Sequence, residues 1–125
     1  MDFQNYKLAT AGSRPIIEII YLNDILDLHN ACEFVGLEYN VKENTFFLFW
    51  KYYYKYTEVD IKDFKVIFEN VQSLKILPRD NEIPFYEDES IREIIYNDGV
   101  IAFHFMGGME IEIEAASTLL RMEAI

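Results

Sequence analysis

The sequence predicts an all-β domain, or a β-rich one with a single short helix, on three observations. Apolar and polar residues alternate with period two over most of the chain after residue 32. The alternating runs are rich in Val, Ile, Phe and Tyr, the residues that suit a pleated surface. Turn-forming residues punctuate them, most plainly Asn97-Asp98-Gly99 between IREIIY and VIAFHF, where Asn, Asp and Gly tolerate the positive φ of a tight hairpin. Consecutive hairpins favour an antiparallel meander, folded as a two-layer sandwich or as a curled, partly open barrel.

Taken in order, residues 1–14 end in AGSRP and have loop composition. They are expected to form a flexible N-terminal segment ahead of a single domain over 15–125. IIEIIYL (16–22) reads as a short strand. LNDILDLHN (22–30) carries the one helix-like spacing, Leu22, Ile25, Leu26 and His29, and forms a turn or a short helical segment. In CEFVGLEYNV, Val35, Leu37, Tyr39 and Val41 share one face of a half-buried strand. Lys42-Glu43-Asn44 is a turn, and FFLFWKYYYKY (46–56) is its hairpin partner. Strands are expected over 63–71 and 71–77, then an acidic loop with two prolines, PRDNEIPFYEDES. The hairpin of 91–105 follows, then a turn at Gly107-Gly108, the alternating MEIEIEA, and a last strand TLLRMEAI after Ala116-Ser117.

Parity assigns the aromatic stretch. Phe46, Leu48, Trp50, Tyr52, Tyr54 and Tyr56 form an uncharged row, expected to face the core. Phe47, Phe49, Lys51, Tyr53 and Lys55 face the other way, and their later half meets solvent. Burying one such side chain contributes about 1.5–3 kcal/mol, so exposing the whole first row would be very unfavourable.

Charge narrows the function. The chain of 125 residues carries 22 Asp and Glu against 11 Lys and Arg, a net charge of −11. That repels nucleic-acid backbones and anionic membranes, and neither is expected as a partner. Residues 82–125 hold ten acids against two Arg, so an electrostatic partner would meet the C-terminal third. Cys32 is the only cysteine and excludes an intrachain disulfide, which suits a reducing cytosol. The N-terminus has no charged n-region before an apolar run, so a soluble cytoplasmic protein is expected.

Few constellations point to chemistry. Glu110, Glu112 and Glu114 alternate with Ile111, Ile113 and Ala115, a row of carboxylates on a straight strand that suits a solvated or partner-binding face better than a metal site. His29-x-x-Cys32 with His104 has loose zinc-like spacing, and a Cys–His pair can be drawn, but nothing in the sequence orients either. Phosphate loops and hydrolase motifs are absent from the sequence. No catalytic residue, metal or cofactor is therefore expected. Phe85-Tyr86 followed by Glu87, Asp88 and Glu89 in a proline-flanked loop suits a basic partner. Tyr53 suits an interface. The expected partner-binding residues are Glu87, Asp88, Glu89, Glu110, Glu112, Glu114 and Tyr53. A rival expectation is a small ligand-binding or hydrolytic protein with a pocket lined by Trp50, Tyr52, Tyr54 and His104.

LHNACEFVGLEYN, the strand ending FENVQSLKIL and the hairpin ending FMGGMEIEIEAASTL resemble small bacterial β proteins, some grouped with the immunity proteins of polymorphic-toxin systems. The resemblance spans roughly residues 28–120. Those proteins often carry an acid after Leu-His, where this chain has Asn30. The resemblance implies a non-enzymatic inhibitor that binds a cognate toxin, and it transfers no site residue.

Overall fold

The computed structural model describes residues 1–9, 15–53 and 61–123. They form ten strands: β1 (Asp2–Phe3), β2 (Tyr6–Leu8), β3 (Glu18–Tyr21), β4 (Asp24–Asp27), β5 (Cys32–Asn40), β6 (Thr45–Tyr53), β7 (Ile61–Leu77), β8 (Ile91–Asn97), β9 (Val100–Phe105) and β10 (Glu110–Met122). The fold is all-β. Its helical element among the described residues is one 3-10 turn, Phe85–Glu89. The stretch 22–30, with its helix-like spacing, is strand β4 and a turn: Ile25 stands 57% exposed while Leu26 is fully buried, an alternation of period two.

A seven-stranded sheet runs β5-β6-β7-β10-β9-β8, with β1 added beside β10, and a second sheet runs β2-β3-β4. The spine of the large sheet is β7 against β10, antiparallel from Met122–Phe64 to Glu110–Leu77. Both are longer than the alternation suggests. The two strands expected over 63–77 are one strand of 17 residues, and Ala116-Ser117 lies within β10 instead of separating two strands. The chain makes its shift of face inside the strands. On β10 the buried positions are Ile111, Ile113 and Ala115, then Thr118 and Leu120. The change falls beside Asn70 of β7, at φ 53, and next to a register irregularity. Such irregularities raise local twist and let a long sheet curl.

The large sheet curls over the small one, as a partly open half-barrel. Phe46, Leu48, Trp50, Phe64, Val66, Phe68, Ile101, Phe103 and Phe105 line its inner side, and Tyr6, Ile19, Leu26 and Leu28 fill it from the small sheet and its flank. The uncharged aromatic row thus faces inward through Tyr52, and Tyr54 and Tyr56 lie outside the described residues. Among the described residues, Trp50 Nε1 is the buried side-chain polar atom without a hydrogen-bond partner.

The opposite row, Phe47, Phe49, Lys51 and Tyr53, faces outward. Lys51 is exposed and lies opposite both Glu33 and Asp63, an opposite-charge cross-strand arrangement. Asp98 and Gly99 form the two-residue hairpin turn of β8–β9, at φ 51 and 80, as the Asn-Asp-Gly signal predicts.

Residues 1–9 differ from their loop-like composition. Beyond Glu114, β9 no longer pairs with β10, and the N-terminus takes its place. Asp2 and Phe3 pair in parallel with Ser117 and Thr118, and the Gln4 N–H donates to the Thr118 carbonyl. Asn5 then acts as a peptide unit: its Nδ2 donates to the Leu120 carbonyl at 2.7 Å and its Oδ1 accepts from the Leu120 N–H at 2.7 Å. The Tyr6 hydroxyl meets Thr118 Oγ1 at 2.9 Å inside the core, and burial pushes its phenol well above the usual tyrosine range. These polar ties join the small sheet to β10. Asn5→Ala removes both main-chain contacts of Leu120 and is expected to lower stability by about 1–3 kcal/mol in urea melts, with the far-UV spectrum unchanged.

Candidate functional site

The curl brings the turn after β4 against the segment that leads into β8, and a polar concavity opens at this seam. Asp27 builds the turn. Its Oδ1 accepts from the His29 and Asn30 N–H groups at 2.9 and 2.8 Å, and its Oδ2 accepts from the Asn30 amide at 2.9 Å. This is the local turn chemistry for which Asp is favoured. The seam is then closed by three bonds. The Ile91 N–H donates to the Leu28 carbonyl at 3.3 Å, Ser90 Oγ donates to the His29 carbonyl at 3.1 Å, and His29 Nδ1 lies 2.7 Å from the Ile91 carbonyl. A carbonyl only accepts, so Nδ1 carries the proton there.

The other wall is the 3-10 turn, started by Pro84 and closed by the Ser90 N–H on the Glu87 carbonyl. Proline pre-sets the backbone φ with which the turn begins. The turn is pinned from below by Asp88. Its carboxylate is buried, 3.2 Å from Arg79 Nε, and accepts the Met109 N–H at 3.3 Å. Arg79 also donates to the Ile83 carbonyl. Gly107 is favoured here for a contact reason: a β-carbon on it would lie 2.5 Å from the Asp88 carboxylate atoms, so Asp88 would have to shift.

The concavity has a volume of about 320 Å³, and its lining includes His29, Cys32, Glu33, Tyr53, Tyr86 and Glu89. Tyr53 donates its hydroxyl proton to Glu33 Oε2 at 2.5 Å. Desolvation raises the Glu89 carboxyl above the usual glutamate range, helped by the Glu33 charge and by a hydrogen bond between the two side chains. The two carboxyl groups are therefore close enough to interact, and the like charge favours the protonated form of Glu89. Cys32 is different. Burial pushes its thiol far above the ordinary range, aided by the Asp27 carboxylate, so it stays protonated and is a poor nucleophile.

The expected partner-binding residues thus separate into three places. Tyr53 and Glu89 meet in the concavity. Asp88 is a buried structural anchor, and Glu87 is half-buried on the turn between them. Glu110, Glu112 and Glu114 line the outer face of β10, where they lie opposite His104, Ala102 and Val100 of β9. Glu110 Oε1 is 3.2 Å from His104 Nδ1, and Arg92 Nη2 is 3.3 Å from the same nitrogen.

Of the rival pocket's lining, Trp50 and His104 do not converge, and Tyr54 lies outside the described residues. Trp50 is packed among Phe34, Phe64 and Phe105, whereas His104 faces outward beside Glu110. His29 lines the concavity with Cys32, but His104 lies apart on β9 beside Glu110. Among the described residues no group of three or more His, Cys, Asp or Glu is placed to hold a metal ion.

Glu33 is the acid of the concavity that sequence reading missed. A bulge at Val35 is the reason. Strict alternation puts Glu33 on the face of Val35 and Leu37, but the register shift between Phe34 and Gly36 puts it outward with Glu38.

No helix among the described residues is long and apolar enough to cross a membrane. Comparison with known protein families, with curated proteins and with solved structures returns no match.

Two outcomes follow from this geometry. In a carboxyl-resolved NMR titration, Glu89 should titrate above the ordinary glutamate range, and Glu33→Gln should bring its midpoint part of the way down. A raised midpoint means the folded state retains the proton. The pair's contribution to stability is therefore fully present below the unfolded glutamate pKa and lost as pH rises through the Glu89 midpoint. Gly107→Ala should displace Asp88 and cost about 1–3 kcal/mol in chemical denaturation, the range of an overpacked site.

Proposed function

We propose that this is a non-enzymatic binding protein that docks a basic protein partner, with a lysine or arginine side chain seated between Glu33 and Glu89. The observation that carries the reading is the carboxyl pair itself. Glu33 and Glu89 both line an open concavity, near enough for the Glu33 charge to raise the Glu89 carboxyl, and they present acidic acceptors to an incoming cation. A cation entering there lies against both carboxyl groups at once, and a guanidinium does so with matched donors.

Its surroundings suit the same ligand. Phe85 and Tyr86 stand 69% and 57% exposed on the 3-10 turn, with ring centroids 6.0 Å apart. Exposed aromatic faces beside acids are favourable ground for a cationic side chain with an aliphatic stem. Glu110, Glu112 and Glu114 widen the acidic surface and, with the net charge of −11, would steer a basic partner toward the protein. Binding is favoured over catalysis because the Cys32 thiol stays protonated and the His29 ring is committed to a backbone carbonyl.

The role this suits is that of an immunity protein neutralising a cognate toxin in the cytoplasm, the implication of the resemblance over residues 28–120. The buried free thiol of Cys32 supports a reducing compartment.

The test is co-purification and calorimetric titration with the product of the gene adjoining its own, at low and high salt. The expected result is a complex that weakens as salt rises. Substituting both acids, Glu33→Gln with Glu89→Gln, should weaken it by about tenfold or more. A partner held equally tightly by the doubly substituted protein, or bound independently of salt, would refute this site.

A further inference from the structure

We propose that the free edge of β5, from Val35 to Asn40, docks an extended segment of a basic partner, which adds to the large sheet as one more strand. The inference takes the basic partner from the reading above and supplies a second, independent mode of contact. β5 ends the strand order, and among the described residues only β6 pairs with it.

The unused backbone groups can be identified. The Tyr53 N–H donates to the Ala31 carbonyl at 2.9 Å, which makes residues 31 and 53 a hydrogen-bonded pair. Such pairs recur at every second residue of an antiparallel ladder. Counted along β6 through Lys51, Phe49, Phe47 and Thr45, and across the bulge, they commit Glu33, Gly36, Glu38 and Asn40 to β6. The N–H and C=O groups of Leu37 and Tyr39 therefore point away from the sheet.

The side chains of these two residues also lack cover. Leu37 lies opposite Leu48 and Tyr39 opposite Phe46, on the inner face, where both partners are fully buried. Leu37 and Tyr39 are nevertheless 38% and 40% exposed, because the apolar layer stops at an open edge. Natural edges are blunted by charged side chains, proline, bulges or covering chain. The other edge of this sheet is covered in that way: the Ile94 N–H of β8 donates to the Ile16 carbonyl at 2.7 Å. On β5 the bulge at Val35 interrupts the edge, but beyond it, from Gly36 to Asn40, there is neither lysine nor proline, and among the described residues no strand pairs with this side.

Charge selects the occupant. The outward residue of this edge beyond the bulge is Glu38, and the turn after it holds Lys42 and Glu43, so in a chain of net charge −11 a strand laid here is favoured with lysine or arginine beside Glu38. Its intervening residues would lie beside Leu37 and Tyr39 and are favoured apolar. Two copies of this chain would each bring a net charge of −11, which opposes self-pairing. This is strand addition, in which main-chain bonds supply affinity and alternate side chains supply selectivity.

The experiment uses the whole protein and a short capped peptide alternating lysine and valine, with amide exchange followed by NMR. The peptide should slow exchange of the Leu37 and Tyr39 amides by about tenfold or more. Its N-methylated analogue should bind about tenfold more weakly, as expected for the loss of two main-chain bonds. Leu37→Pro removes one outward donor at an edge position that tolerates proline and should weaken binding comparably. The N-methylated peptide tests the same bonds on the unmodified protein.

Signals of Glu33 and Glu89 that respond while Leu37 and Tyr39 do not would overturn strand addition and leave the concavity reading intact. Equal binding of a glutamate–valine peptide would overturn the basic occupant. Protection of Leu37 and Tyr39 that grows with protein concentration alone would assign the edge to a second copy and overturn the proposal. No response to the lysine–valine peptide at any residue would overturn it as well.

Discussion

The pairing of β7 with β10 is the constraint from which the remaining structure follows. Among the described residues it is the longest antiparallel contact, and it fixes which side of each strand is inside. Phe64, Val66 and Phe68 meet Met122, Leu120 and Thr118 on the inner face. The row Phe46, Leu48 and Trp50 is then set inward through the β6–β7 register, and Ile101 and Phe103 through β9. The irregularity near Asn70 lets both long strands change face without breaking, and the resulting curl creates room that only a second layer can fill. The small sheet fills it with Tyr6, Ile19 and Leu26. Inward burial of these large side chains dominates the favourable energy, and the Asn5 and Tyr6 hydrogen bonds fix how the layers meet.

The strands that alternate strictly were legible in the sequence. FFLFW, MEIEI and the Asn-Asp-Gly hairpin need only period two and turn chemistry to be placed, and each lies where those rules put it. Features that depend on a departure from period two were not legible. Val35 sits in a bulge, so the face shared by Val35, Leu37, Tyr39 and Val41 in the sequence is divided in the structure, with Leu37 and Tyr39 alone turned to the inner side at an uncovered edge. Asn5 was not legible either, because a side chain that imitates a peptide unit leaves no periodic trace. Ala116-Ser117 has the small, polar character of a break, but the β7 ladder carries the strand through it.

The site was half legible for a related reason. Its chemistry lies in residues of familiar character, an aromatic pair followed by acids and a tyrosine on an outward row. What assembles it is the seam, where Leu28 and His29 bond to Ser90 and Ile91, more than sixty residues away. Sequence spacing carries no information about that closure, and without it Glu33 and Glu89 have no reason to be considered together. The run Glu87-Asp88-Glu89 is instructive here. Three adjacent acids look equivalent in the sequence, yet a 3-10 turn sends one into the interior to hold Arg79 and the Met109 N–H, and another into the concavity.

The functional reading depends on Glu33 and Glu89 opposing each other across the seam, and a double-mutant cycle measures that directly. Unfolding free energies at neutral pH would be obtained for the parent protein, Glu33→Gln, Glu89→Gln and the doubly substituted protein. The geometry predicts non-additive effects, with coupling beyond the ~0.3–0.5 kcal/mol scatter of independent sites. Additive effects within that scatter would mean that the two carboxyl groups do not meet, and would contradict the site on which the proposed binding role is built.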